Sequence, residues 1–173
     1  DAYLMLIDQS DNLVWRNLYG GVGLENITDV EIDNVGNILV GGYYSDSVVF
    51  DLSSGFYEMT QGGTDAFLLK CNIGGGYEWF SSGGGSGNDR LMDISISPAT
   101  NNIACIGSFT NQFQLTNSGT SYTLTSAGGR DLFLSFYDPN SPILRLLSMG
   151  SSQDEEAGAI ARLSNGILIG GTY

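Results

Sequence analysis

Short apolar runs separated by glycine-, asparagine- and proline-rich turns organise the chain. Leu91–Ser97, Asn102–Phe109, Asp131–Asp138 and Ile143–Met149 each read as a strand. The turns between them are Pro98-Ala99-Thr100-Asn101 and Asp138-Pro139-Asn140-Ser141-Pro142, and Asp33-Asn34-Val35-Gly36-Asn37 is a turn of the same kind. The strands do not alternate cleanly. Leu4-Met5-Leu6-Ile7, Phe67-Leu68-Leu69 and Ile167-Leu168-Ile169 are apolar at consecutive positions, whereas a half-buried strand places a polar residue at every second one. The pattern therefore predicts antiparallel strands covered on both faces.

The pattern also recurs. Asp1-Ala2-Tyr3-Leu4 is matched by Asp65-Ala66-Phe67-Leu68 after 64 residues and by Asp131-Leu132-Phe133-Leu134 after a further 66. Trp15 and Trp79 each precede a glycine-rich stretch, and Asp29 is echoed by Asp93. Val40-Gly41-Gly42, Ile106-Gly107-Ser108 and Ile169-Gly170-Gly171 align as one further recurring position. A period of 64–66 residues holding four short strands predicts an all-β chain of four-stranded antiparallel β-propeller blades, each sandwiched between its neighbours. Glycines ending the second strand suit a crowded region near a central axis.

On this division residues 1–19 form half a blade, 27–82 and 91–150 form two whole blades, and 157–173 form another half. Three blades fall below the usual number of about 4–8. The expectation is a segment of a larger propeller, or a chain that shares blades with another copy. Ser45–Thr64 and Thr110–Arg130 are longer excursions between second and third strands. Each carries two β-like snippets, Val48-Val49-Phe50 with Phe56-Tyr57-Glu58-Met59, and Phe113-Gln114-Leu115 with Tyr122-Thr123-Leu124. They should form hairpin-like arms that leave the blade and return.

Charge narrows the function. The 173 residues carry a net charge of −13 and no histidine. So acidic a surface repels phosphate backbones and argues against nucleic acid as a partner. Without imidazole there is no Ser-His or Cys-His pair and no commonest zinc ligand. No stretch is long and apolar enough to be a membrane span. The sequence shows neither an initiator Met nor a signal-peptide pattern, so a mature product or an excised segment is expected.

Asp29, Glu31 and Asp33 share one face of a first strand, with Asp93 the repeat-mate of Asp29. Carboxylates on an innermost strand could bind a cation or act as an acid/base pair. The simpler reading is that they accept backbone hydrogen bonds from a neighbouring blade, since Ala159 and Ala161 interrupt the series. Trp15 and Trp79 could stack on a sugar, but packing at the edge of the core is the simpler use. Asp8–Asn12 and Asp33–Asn37 lack the order of a calcium loop, and Gly83–Gly87 lacks the Lys-Ser/Thr of a phosphate loop. No metal or other cofactor is expected. Cys71 and Cys105 fall in apolar strand positions of different blades and read as buried thiols, with Cys105 aligned to Leu39 and Leu168.

Gly85-Ser86-Gly87-Asn88-Asp89, Asp93-Ile94-Ser95-Ile96, Gly36-Asn37-Ile38-Leu39-Val40-Gly41-Gly42-Tyr43 and Gly62-Gly63-Thr64-Asp65-Ala66-Phe67 resemble the bacterial β-propeller repeat family, and more weakly kelch-type blades. In that family a "GGSGND" segment leads into the first strand and "GG(S/T)DAF" opens the third. The third copy departs from the pattern: Arg145 stands in the place of Trp, Ala159 in that of Asp, and Ser151–Glu156 in that of the glycine-rich lead-in. The resemblance implies an extracellular or cell-surface module without catalytic activity. The leading expectation is a structural or adhesive module whose partners are other protein subunits or further blades. A glycan-binding module using surface sugars is the alternative, and carboxylate chemistry in the channel is third.

Overall fold

The computed structural model describes residues 1–51, 56–117, 120–140 and 143–173. The tips of both long excursions and the end of the Asp138–Pro142 turn lie outside the described residues. No helix is present among those described. The strands are β1 (Ala2–Ile7), β2 (Leu13–Gly21), β3 (Glu25–Ile32), β4 (Ile38–Asp51), β5 (Phe56–Cys71), β6 (Tyr77–Gly84), β7 (Arg90–Ile96), β8 (Ile103–Asn117), β9 (Thr120–Tyr137), β10 (Ile143–Met149), β11 (Glu156–Leu163) and β12 (Gly166–Thr172).

They pair antiparallel, neighbour to neighbour. β3-β4-β5-β6 and β7-β8-β9-β10 are complete four-stranded meanders. β1-β2 repeats the register of a third-and-fourth strand pair, and β11-β12 that of a first-and-second pair. These two outer pairs do not bond to each other, and among the described residues the strands close into no barrel or complete propeller. Every observed first strand carries an irregularity at the same place: between Ile27 and Asp29, between Leu91 and Asp93, and between Ala157 and Ala159.

Burial explains the two-faced apolar strands. On β5, Phe67, Leu69 and Cys71 pack with Leu4 and Tyr19 of the β1-β2 pair and with Ile38, Val40 and Tyr44. Ala66 and Leu68, pointing the other way, pack with Leu91, Ile94, Phe113 and Phe133 of the next meander. A third cluster joins Ala104, Ile106 and Leu134 to Ala157 and Ile160. Each four-stranded meander therefore has apolar neighbours on both faces, which period-two alternation cannot supply. The outer pairs are covered on one face only, and Tyr3, Met5, Ile7 and Leu168 are exposed, against the expectation for Leu4–Ile7 and Ile167–Ile169.

The excursions form the hairpins expected of them. They continue the strands as long hairpins, and β4 and β8 each carry a bulge where the extension begins, at Asp46 (φ 63°) and Asn111 (φ 62°). An Asx residue tolerates this left-handed conformation better than most side chains. Each extension pairs with the preceding fourth strand, Gly20↔Val49 and Gly21↔Val48 in one case, Gly83↔Leu115 and Gly84↔Gln114 in the other. The excursions thus stitch successive units together.

One alignment is corrected by a residue. Gly42 pairs with Phe67 and Gly107 with Phe133, so Cys105-Ile106-Gly107 is the counterpart of Val40-Gly41-Gly42. Cys105 matches Val40, not Leu39. The turn between Ile96 and Ile103 holds one residue more than that between Ile32 and Ile38 and absorbs it with Asn101 at φ 58°. Cys71 and Cys105 are both buried free thiols, on β5 and β8.

Candidate functional site

The aspartates singled out in the sequence meet at the contact between first strands. Asp29 Oδ2 accepts the N–H of Ile94 at 2.9 Å, and Asp93 Oδ1 accepts the same N–H at 3.0 Å. Asp93 Oδ2 in turn accepts the N–H of Ile160. Each carboxylate thus bridges its own first strand to the next, beside the bulge where a ladder amide is set free. Burial, together with the adjacent Asp93 carboxyl, pushes Asp29 up to about 6. Glu31 is half-buried farther along the strand. Asp33 instead closes its own turn, accepting from the N–H groups of Val35 at 3.0 Å and Asn37 at 2.8 Å.

The two tryptophans serve seams. Trp15 donates its indole N–H to the carbonyl of Ile73 at 3.0 Å, and Asn17 beside it donates to Gly75 O at 2.6 Å. Both reach the β5-β6 turn of the next meander. Trp79, at the same register position on β6, stacks on Tyr137 with ring centroids 6.1 Å apart. The β9-β10 turn facing it is held by Lys70, which donates to Pro139 O at 2.8 Å and forms ion pairs with Asp33 at 3.6 Å and Glu78 at 3.5 Å. Lys70 and Asp33 are both buried.

A second acidic set escaped the reading of the sequence. An aspartate opens each third strand, a glycine follows 19 residues later, and an acidic residue follows five after that: Asp1/Gly20/Glu25, Asp65/Gly84/Asp89 and Asp131/Gly150/Glu155. A Cβ on Gly20, Gly84 or Gly150 would fall 2.4 Å from Asp1 Oδ1, 2.2 Å from Asp65 Cγ and 2.2 Å from Asp131 Cγ. At Gly84 and Gly150 glycine leaves room for a buried carboxyl against the α-carbon, whereas Asp1, which faces Gly20, is exposed and free to swing away. Asp89 receives the N–H groups of Thr110, at 3.1 Å, and Gly85, while Glu155 receives that of Ser151 at 3.1 Å. Asp65 and Asp131 accept from the residues four positions earlier, Gln61 at 3.1 Å and Ala127 at 2.9 Å. The constant 19-and-5 spacing was the available signal.

Two of these carboxyls, Asp65 and Asp89, are electrostatically costly. Burial, followed by the charge of Asp65, pushes Asp89 up to about 7; burial, with Glu58 adding, pushes Asp65 up to about 6. Perturbed acids often mark catalytic centres, but Asp89 is fully buried and so meets no substrate. Among the described residues no group of three or more His, Cys, Asp or Glu side chains converges to hold a metal. The clefts among the described residues include a groove of about 610 Å³ lined by Phe136, Arg145, Arg162, Pro98 and Ile167. Comparison with protein-family models and with curated proteins returned no match.

Proposed function

We propose that the chain is a non-catalytic structural module: consecutive β-propeller blades of an extracellular or cell-surface protein, acting through contacts with protein subunits or further blades. The observation that carries this reading is the use of its polar and indole side chains at the contacts between units. Asp29, Asp93, Trp15, Asn17 and Lys70 all bond the backbone of the neighbouring unit. A catalytic or ligand-binding carboxylate keeps a lone pair free for a substrate, whereas these are directed at seams. The residue pattern Gly-Gly-Thr-Asp-Ala-Phe and the apolar packing on both faces of each meander support the propeller assignment.

Amide hydrogen exchange combined with ligand screening tests the reading. The Ile94 and Ile160 amides should exchange slowly, and Asp29→Ala and Asp93→Ala should accelerate each in turn. A glycan panel should give no saturable binding. Sugar binding that disappears in Trp79→Ala would overturn the proposal in favour of a lectin.

A further inference from the structure

We propose that Asp29 and Asp93 share a single proton across the contact between β3 and β7, and that this proton is a pH-sensitive latch between two consecutive units. The inference rests on the scaffold reading above and adds a regulatory device to it. Both strands belong to complete meanders, so every part of the latch lies within the described residues.

The hydrogen bonds count out the proton. All four carboxyl oxygens accept a backbone N–H: Val30 at 2.8 Å on Asp29 Oδ1, Ile94 at 2.9 Å on Asp29 Oδ2 and at 3.0 Å on Asp93 Oδ1, and Ile160 on Asp93 Oδ2. Four oxygens thus meet three donors, and the middle two divide the Ile94 N–H between them. Oxygens that both accept one N–H lie no more than about 4 Å apart, and the two carboxyls are hydrogen-bonded to each other. Ionised carboxylates accept and do not donate, so only a proton on one of them makes that bond. Two like charges held this close cannot both form cheaply, and one carboxyl keeps its proton.

No cation takes the proton's place. Among the described residues neither carboxyl enters an ion pair. The titratable and charged groups that face the pair from other strands are Cys105 on β8 and Arg162 on β11. Burial, then the charges of Asp29 and Asp93, push the Cys105 thiol up, so it stays neutral. Arg162 directs its guanidinium to the carbonyl of Asn102 at 3.2 Å. Glu31, two residues along β3, is a further acid. Burial first, and then the Asp93 carboxyl, outweigh the Ile94 N–H and push Asp29 up to about 6.

The proton sits in a bond that holds the units together. Across this contact the Ile94 N–H donates to Asp29, and Thr28 Oγ1 donates to Leu91 O at 2.8 Å. When Asp29 ionises, two anions compete for one N–H, and the first strands are pushed apart beside their bulges. The following contact supplies a built-in comparison. There Ala159 stands at the aspartate position, and Asp93 alone accepts the Ile160 N–H. The latch therefore exists at one seam and not at the other. It is closed in acid: its contribution is complete below the ordinary aspartate value of 3.8 and is lost as pH rises through about 6.

Amide exchange on residues 1–173, corrected for base catalysis, tests the proposal at Ile94 and Ile160. A carboxyl at about 6 in the closed seam and 3.8 in the open one makes closure about tenfold less favourable at pH 8 than at pH 5. Expected is a fall of that size in protection at Ile94 and none at Ile160. In Asp29→Asn, whose amide donates to Asp93 without ionising, Ile94 protection should not change with pH. Should that variant fail to fold, the Asp29 carboxyl carbon of the parent chain, followed by NMR, decides: a midpoint near 6 supports the shared proton, and one near 3.8 overturns it. Protection that stays level at Ile94, or falls equally at both amides, overturns the latch and leaves the scaffold reading standing. Unprotected amides at both positions at every pH sink the scaffold reading along with it.

Discussion

Asp93 and Ile160, 67 residues apart in the chain, are joined by a hydrogen bond of 2.6 Å from the Ile160 N–H to Asp93 Oδ2. Asp29 and Ile94 repeat it at 2.9 Å. A buried amide that loses its acceptor costs roughly 1–3 kcal/mol. Asp29→Ala and Asp93→Ala should each lower stability by about that amount, measured by urea unfolding. Asn substitutions keep one oxygen as an acceptor and should cost less. Equal losses from Ala and Asn would show that the hydrogen bond is not what matters.

Stability should also rise on mild acidification. Burial raises Asp29 and Asp65 to about 6 and Asp89 to about 7, so the folded chain holds protons that the unfolded chain has released. Stability from these groups is complete below the unfolded carboxyl value near 3.8 and is lost as pH climbs through about 6–7. Asp8 and Asp33 act oppositely: the hydrogen bonds from their own turns hold them low, and their contribution disappears only below about 3.8. Thermal melts should give a higher Tm at pH 5 than at pH 8. Asp89→Asn keeps an acceptor for Thr110 while removing the ionisable group, and should flatten that slope.

Glycine tolerance should divide sharply. At Gly107 an added methyl meets Arg90 O at 2.2 Å and the Phe133 ring at 2.3 Å, whereas at Gly166 nothing lies within 4 Å. Overpacking of this kind costs roughly 1–3 kcal/mol, so Gly107→Ala should destabilise by at least that much. Gly166→Ala should stay within about 0.5 kcal/mol of the parent. Equal denaturant midpoints for the two variants would refute the close approach.

Lys70 should behave as a buried ionic keystone. Replacing it with Met leaves the buried Asp33 carboxylate without its cation and Pro139 O without its donor. Removing one partner of a buried pair costs roughly 3–5 kcal/mol. Because Asp33 keeps its turn hydrogen bonds, the lower end, about 3 kcal/mol, is expected from Lys70→Met in chemical denaturation. A double variant that also carries Asp33→Asn should recover part of the loss.

The sequence by itself determined the strands, their antiparallel order and the division into two whole and two half units. Local chemistry dictates these. Consecutive apolar residues such as Phe67-Leu68-Leu69 must be covered on both faces, and Asx-Gly turns reverse the chain. It also located Asp29, Asp93, Trp15 and Trp79, because recurring polar or aromatic residues in apolar strands stand out. Tertiary structure decided what they touch. The partner of Asp29 lies 65 residues away, at a bulge whose freed amide no local pattern announces. The pairing of β2 with β4 and of β6 with β8 was likewise hidden, since the β-like snippets of an excursion announce a hairpin but not the neighbouring strand that it pairs with. The Asp65/Gly84/Asp89 set was written in the sequence as a constant spacing, yet its meaning is spatial. Only folding brings an α-carbon without a side chain against a buried carboxyl. The one-residue displacement of Cys105 has the same origin: an extra turn residue is invisible to a count of landmarks, and hydrogen-bond register alone decides which residue faces which.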